Sequence, residues 1–171
     1  HFNLGGFGSF RALEKFTARE IAEMGFDLLW IGIESENAHF GKLNGGPVQD
    51  VFDDLKRHGI CTIGSSIIGL PHQDRDTLKN DFERHIKLAP TYTQLLIYTP
   101  LPGTPLYKRG VKNDLFLRKF HGTKDWRKFD GFAEIFSHPN FNEGELEELQ
   151  EELYLEEFRR LGPSVFRTAK T

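Results

Sequence analysis

The run from Cys61 to Pro71, CTIGSSIIGLP, constrains the fold more than any other stretch of the chain. Apolar and β-branched residues end there in a Gly-Leu-Pro turn, and an amphipathic pattern follows from Asp74. The pattern predicts a buried strand whose C-terminal tip is stripped of bulk and which feeds a helix. Two similar units flank it: Leu28 to Ser35 (LLWIGIES) before, and Gln94 to Thr104 (QLLIYTPLPGT) after. Strands alternating with helices at this spacing imply a parallel sheet with right-handed crossovers. In such folds ligands sit at the C-terminal tips of the strands. Three strands leave two bare sheet edges, so the expectation is part of a larger barrel or sheet.

The helices carry their own punctuation. Thr17 with Glu20 three residues on forms a capping box, and Gly25 stops that helix. Pro47 opens a second, whose apolar face is Val48, Val51, Phe52 and Leu55 and which Gly59 ends. Asp74 caps a third with the stripe Leu78, Phe82 and Ile86, and Pro90 lies beyond its end. A last, acidic helix over 142–162 starts with Asn142 and Glu145 as a capping box. Its buried stripe is expected to be Leu146, Leu149, Leu153, Phe158 and Leu161, with Gly162-Pro163 closing it. Near the start, Gly5-Gly6-Phe7-Gly8 lacks the third glycine opening a helix that a dinucleotide fingerprint requires. It reads as a loop or a frayed strand end. The division expected is a barrel portion over 1–107 and an extension over 108–171.

Composition narrows the function classes. At 171 residues with 38% hydrophobic and 27% charged, the chain is an ordinary globular domain with a real core. A formal net charge of -3 speaks against a nucleic-acid binder, although 108–128 is basic with Phe116, Phe120 and Trp126 interleaved. That segment reads more simply as an extension whose cations face the acidic helix. The single cysteine, Cys61, permits neither an internal disulfide nor a cysteine metal cage, and fits a reducing, cytoplasmic setting. No apolar run is long enough to span a membrane and no signal peptide is visible. The chain opens His1-Phe2-Asn3, from which a fragment or a processed product of something longer is expected. HExxH, Walker A and GxSxG patterns are missing.

Several tip residues suggest binding, each with a plainer alternative. Glu34 ends an apolar strand, where a carboxylate needs water, a donor or a ligand; a loop cap or salt bridge would serve equally. Ser65 and Ser66 alternate sides, so one faces the barrel interior and the other the helices, and either one can be simple small packing. Gly69 permits close approach of a flat ligand, or merely makes the turn before Pro71. Tyr98, Thr99 and Pro100 offer main-chain groups to an adenine edge, or form a stiff loop with Pro102 and Pro105. His72 lies near solvent. Local chemistry gives the ligand face of a parallel barrel and no further.

Taken as an ordered set, LLWIGIES, SSIIGLPHQDRDTL and QLLIYTPLPGTPLY resemble the second half of a radical S-adenosylmethionine (SAM) enzyme. The likeness covers Phe16 to Tyr107 and is greatest to the subfamily with an N-terminal cobalamin-binding domain. It implies an α/β fold, the C-terminal half of a partial (β/α)6 TIM-like barrel with parallel strands, followed by a helical C-terminal extension. By this resemblance Glu34 and Ser35 contact the ribose and methionine part of SAM, and Ser65 the ribose. Ile67, Gly69 and Pro71 border the adenine, as do Tyr98 and Thr99 through their backbone. The implied cofactors are SAM, a 4Fe-4S cluster and, in the parent protein, cobalamin. The implied partners are an unknown substrate and the remainder of the barrel. In the family a reduced cluster cleaves SAM to a 5′-deoxyadenosyl radical, which takes hydrogen from substrate. Three departures stand out. His72-Gln73-Asp74 replaces a frequent Gly-Glu-Thr, Lys42 is off register for a carboxylate-gripping arginine, and the CxxxCxxC loop is not in this chain. The chain alone is therefore expected to be inactive. The rival expectations are a non-catalytic ligand-binding or interaction module, and a metal- or phosphate-using barrel enzyme.

Overall fold

A computed structural model describes residues 3–13, 15–33, 48–117 and 126–171. Four strands form one parallel sheet in the sequential order β1-β2-β3-β4. They are β1 Leu4–Gly8, β2 Phe26–Gly32, β3 Cys61–Ile68 and β4 Tyr92–Ile97. The helices are α1 Phe10–Leu13, α2 Ala18–Glu23, α3 Val48–Arg57, α4 Arg75–Leu88, α5 Pro105–Lys112, α6 Glu145–Leu161 and α7 Ser164–Thr168. Among the described residues no helix is long and apolar enough to cross a membrane.

The caps expected on α2 and α4 are present. The Thr17 hydroxyl accepts from the Glu20 amide while the Glu20 carboxylate takes the Thr17 amide, and Asp74 with Thr77 repeats the arrangement on α4. Gly25 and Gly59 follow α2 and α3 with positive φ. Pro47 lies outside the described residues.

The segment read from sequence as a loop or a frayed strand end is a paired strand, β1. Glycine has poor strand propensity, so nothing local marks it. Its glycines answer to packing instead. A Cβ on Gly6 would lie 2.8 Å from the Phe26 ring, and one on Gly8 would lie 3.3 Å from Leu13.

Packing makes the two faces of the sheet unequal. Leu29, Ile31, Ile33, Ile68, Leu95 and Ile97 are buried against the helices in three apolar clusters. The alternate residues, Leu28, Trp30, Cys61, Ile63, Ile67, Tyr92 and Leu96, are only half-buried, and Phe7 is 85% exposed. All-parallel sheets are ordinarily covered on both faces, so an apolar face that the described residues leave bare is unusual.

The two edges differ as well. Along the outer border of β4, the Leu95 amide donates to the Tyr154 hydroxyl, and Gln150 Nε2 donates to the Leu95 carbonyl. The Ile97 amide donates to the Gly131 carbonyl, and Arg167 Nε donates to the Thr91 carbonyl. On the other side, among the described residues, β1 has β2 as its single sheet neighbour. The extension is thus docked through β4, and Phe141 and Leu146 share a cluster with Ile68, Leu78 and Ile97.

The helix α6 differs from its expected form in two respects. It starts at Glu145 behind Gly144, and the Asn142 amide bonds the Glu145 carboxylate without the Asn142 side chain capping the helix. Phe158 is 56% exposed, and the inward positions are taken by Gln150, Tyr154 and Glu157 as well as leucines. These polar residues face inward because the border of β4 needs hydrogen-bonding partners. The short helix α7 was not anticipated.

Candidate functional site

Strand register stacks the open face into rungs. Gly5, Leu28 and Cys61 form the lowest, and Phe7, Trp30, Ile63 and Tyr92 the next. Above these come Gly32, Ser65 and Gln94, and then Ile67 and Leu96. A bulky aromatic rung, with Phe7 stacked on Trp30 at 5.1 Å between centroids, is followed toward the C-terminal tips by a small polar rung. The step leaves a cleft of about 470 Å³ bounded by Phe7, Trp30, Gly32 and Ser65. Ser65 Oγ donates to Gln94 Oε1 at 2.9 Å, which fixes the Gln94 amide beside Ser65 on the open face. Gln94 escaped the sequence reading. The available signal was an amide within an apolar strand, one register step from a serine.

Ser66 points the opposite way. Its hydroxyl donates to the Ile33 carbonyl at 3.0 Å and lies 2.8 Å from His85 Nδ1. His85 is fully buried, with Nε2 3.2 Å from Thr93 Oγ1, which itself bonds Glu157. Glu157 pairs with Arg167 at 2.6 Å. Burial first, and then the Arg167 charge, lower the His85 pKa to about 4, so the ring is neutral at neutral pH. This chain of polar groups ties β3, α4, β4, α6 and α7 together on the covered side of the sheet.

The Gly-Leu-Pro turn is pinned from both directions. The Leu70 amide donates to Gln73 Oε1, and the Leu70 carbonyl accepts from the Gln73 amide. His138 Nε2 also donates to that carbonyl, because its Nδ1 accepts the Asn140 amide. Gln73 is only 1% exposed and also bonds Asp81. Gly69 has φ +75, and a Cβ there would lie 2.6 Å from Leu146 Cδ1. Turn geometry and helix packing are sufficient reasons for that glycine.

The structure brings Gly69, Pro71 and Tyr98 to one cleft of about 540 Å³ at the tips of β3 and β4. Its other walls are α5, through Leu106 and Arg109, and the segment around Phe136 and His138. Ser65 and Ile67 lie on the open face instead, and the Thr99 hydroxyl donates to the Ile97 carbonyl. Glu34 and Ser35 lie outside the described residues, as does Lys42. Among the described residues no group of three or more His, Cys, Asp or Glu could hold a metal ion. Cys61 sits in the lowest rung, at the end of the sheet away from the tips. One thiol in that place does not fit a cluster that needs three thiolates, and no step through such a cluster can be drawn from these residues.

No family model matches the chain. It is similar to a protein of Pyrococcus horikoshii named as an uncharacterized methyltransferase, at 27% identity over 149 residues. The match covers 84% of this chain and 31% of that protein. The chain therefore spans about a third of the length of the curated relative it matches.

Proposed function

We propose that the chain is one half of a SAM-dependent enzyme's parallel barrel, of the radical SAM kind, and supplies part of the SAM cradle. One observation carries the reading: among the described residues the sheet winds in a single direction, with its helices on one face and a stepped, half-apolar face left open. A doubly wound sheet would reverse its strand order and place helices on both faces. A barrel wall keeps its helices outside and its ligand rungs inside, at the C-terminal ends.

In this reading further βα units join at the bare β1 edge and close over Phe7, Trp30 and the Ser65–Gln94 pair. The aromatic rung is then the floor of the site. Ser65 and Gln94 hold hydroxyl groups of the adenosyl ligand, and the open-face backbone of Ile67 and Leu96, leading up to Gly69 and Tyr98, borders its base. The methyltransferase name of the Pyrococcus horikoshii relative supports SAM as the ligand. A cluster would be held by cysteines outside these residues, and cobalamin likewise elsewhere.

The reading frame surrounding these codons should encode additional βα units and a CxxxCxxC loop. The protein made from that frame, loaded anaerobically with iron and sulfide, should release 5′-deoxyadenosine from SAM under a reductant. The 171-residue chain alone should release none. A frame without the three cysteines would refute the radical reading, and S-adenosylhomocysteine as the sole product would assign conventional methyl transfer.

A further inference from the structure

The cleft at the tips of β3 and β4 has a chemistry of its own, set by which polar groups are already engaged. The Ser137 hydroxyl donates to the Leu115 carbonyl, and both His138 nitrogens are engaged within the protein. Glu134 takes the Gly144 amide through Oε2 and is 1% exposed, so it presents almost no surface to a ligand. Three polar side chains on the lining make no hydrogen bond or ion pair among the described residues: Tyr98, Arg109 and Asn113. Burial pushes the Tyr98 phenol above its ordinary pKa, against a smaller opposing pull from the Arg109 charge, so it remains a protonated donor. The rest of the wall is apolar and stiff, built from Pro71, Pro100, Leu106, Phe136, Pro139 and Leu146. The volume is that of a small-molecule pocket, between about 300 and 1,000 Å³.

We infer that this cleft binds an oxyanion carried on an apolar body, with Arg109 gripping the carboxylate or phosphate and Tyr98 donating beside it. A guanidinium presents a fork of donors matched to such groups. Lys108 and Lys112 on the same helix, outside the lining, add to the positive field of α5. The inference goes beyond the SAM reading, because it needs neither closure of the sheet nor an adenosyl ligand.

Calorimetric titration of the 171-residue chain with octanoate, octyl phosphate, octanol, octylammonium and S-adenosylhomocysteine tests it. The two anions should bind about tenfold or more tighter than octanol, a difference of about 1.4 kcal/mol. The carboxylate and phosphate arms show which oxyanion is preferred. Arg109→Gln should remove that advantage and leave octanol unchanged, Arg109→Lys should restore part of it, and Tyr98→Phe should weaken both anions. Arg109 is exposed on α5, so these variants should keep the far-ultraviolet spectrum of the parent. Octylammonium binding as tightly as octanoate would mean that Glu134 governs the cleft, which overturns the inference. So would an Arg109→Gln variant with unaltered affinity, the absence of binding by any octyl probe, or displacement of octanoate by S-adenosylhomocysteine. The last result would make the cleft the adenosyl site and leave the SAM reading standing.

Discussion

Replacing Gly69 with alanine separates two reasons for a glycine at the tip of β3. An L-residue at φ +75 is in the left-handed region, at a cost of about 1–2 kcal/mol. The new methyl would lie 2.6 Å from Leu146 Cδ1, inside contact distance, and overpacking of this kind costs about 1–3 kcal/mol. Gly69→Ala should therefore destabilise the chain by about 2–5 kcal/mol. Leu146→Ala alone should cost about 2–5 kcal/mol, since Leu146 is 2% exposed within its cluster. In the double variant the clash has no partner while the backbone strain persists, so the combined loss should fall short of the sum by about 1–3 kcal/mol. Urea unfolding followed by circular dichroism measures all three values. Additive single effects, or a Gly69→Ala loss below about 1 kcal/mol, would show that Leu146 does not impose the glycine. Ligand approach would then be the better explanation of that residue.

Two further outcomes concern the buried polar chain. Arg167→Met leaves Glu157 charged and enclosed, and strips a donor from the Thr91 and Gly162 carbonyls, so chemical denaturation should show a loss of about 3–5 kcal/mol. Arg167→Met with Glu157→Leu should lose less than Arg167→Met alone, and an equal or greater loss would contradict the argument. His85 is neutral when folded, with its pKa at about 4 against an ordinary 6.5, so the unfolded chain takes up the proton first. Its contribution is complete above pH 6.5 and should be lost progressively as pH falls toward 4, by about 3 kcal/mol in all. Urea midpoints of the parent should drop over that window more steeply than those of His85→Asn, and parallel curves would count against the assignment.

What could be read from the sequence was whatever has a local cause. Thr17 with Glu20, and Asp74 ahead of α4, announce helix starts because the cap and its partner are three residues apart. The apolar runs of β2, β3 and β4 announce burial for the same reason. Features set at long range stayed hidden. The strand β1 is specified by Phe26 and Leu13 packing over its glycines. The inward face of α6 contains Gln150 and Tyr154 because a strand border lies beneath it, and a hydrophobic stripe cannot show that. Ser65 was recognised as facing one side or the other, but its choice of Gln94 depends on the register of two strands. Arg109 was passed over because its significance lies in the polar neighbours that are already engaged.

The unequal borders of the sheet limit how copies of this chain can associate. Among the described residues each copy offers a single bare strand, so two copies meeting edge to edge about a twofold axis would use up the open positions these residues leave. A third would find only a border already occupied by Gln150, Tyr154 and Arg167. Strand pairing through this sheet therefore ends in a finite pair, where a sheet bare on both sides would propagate into a fibre.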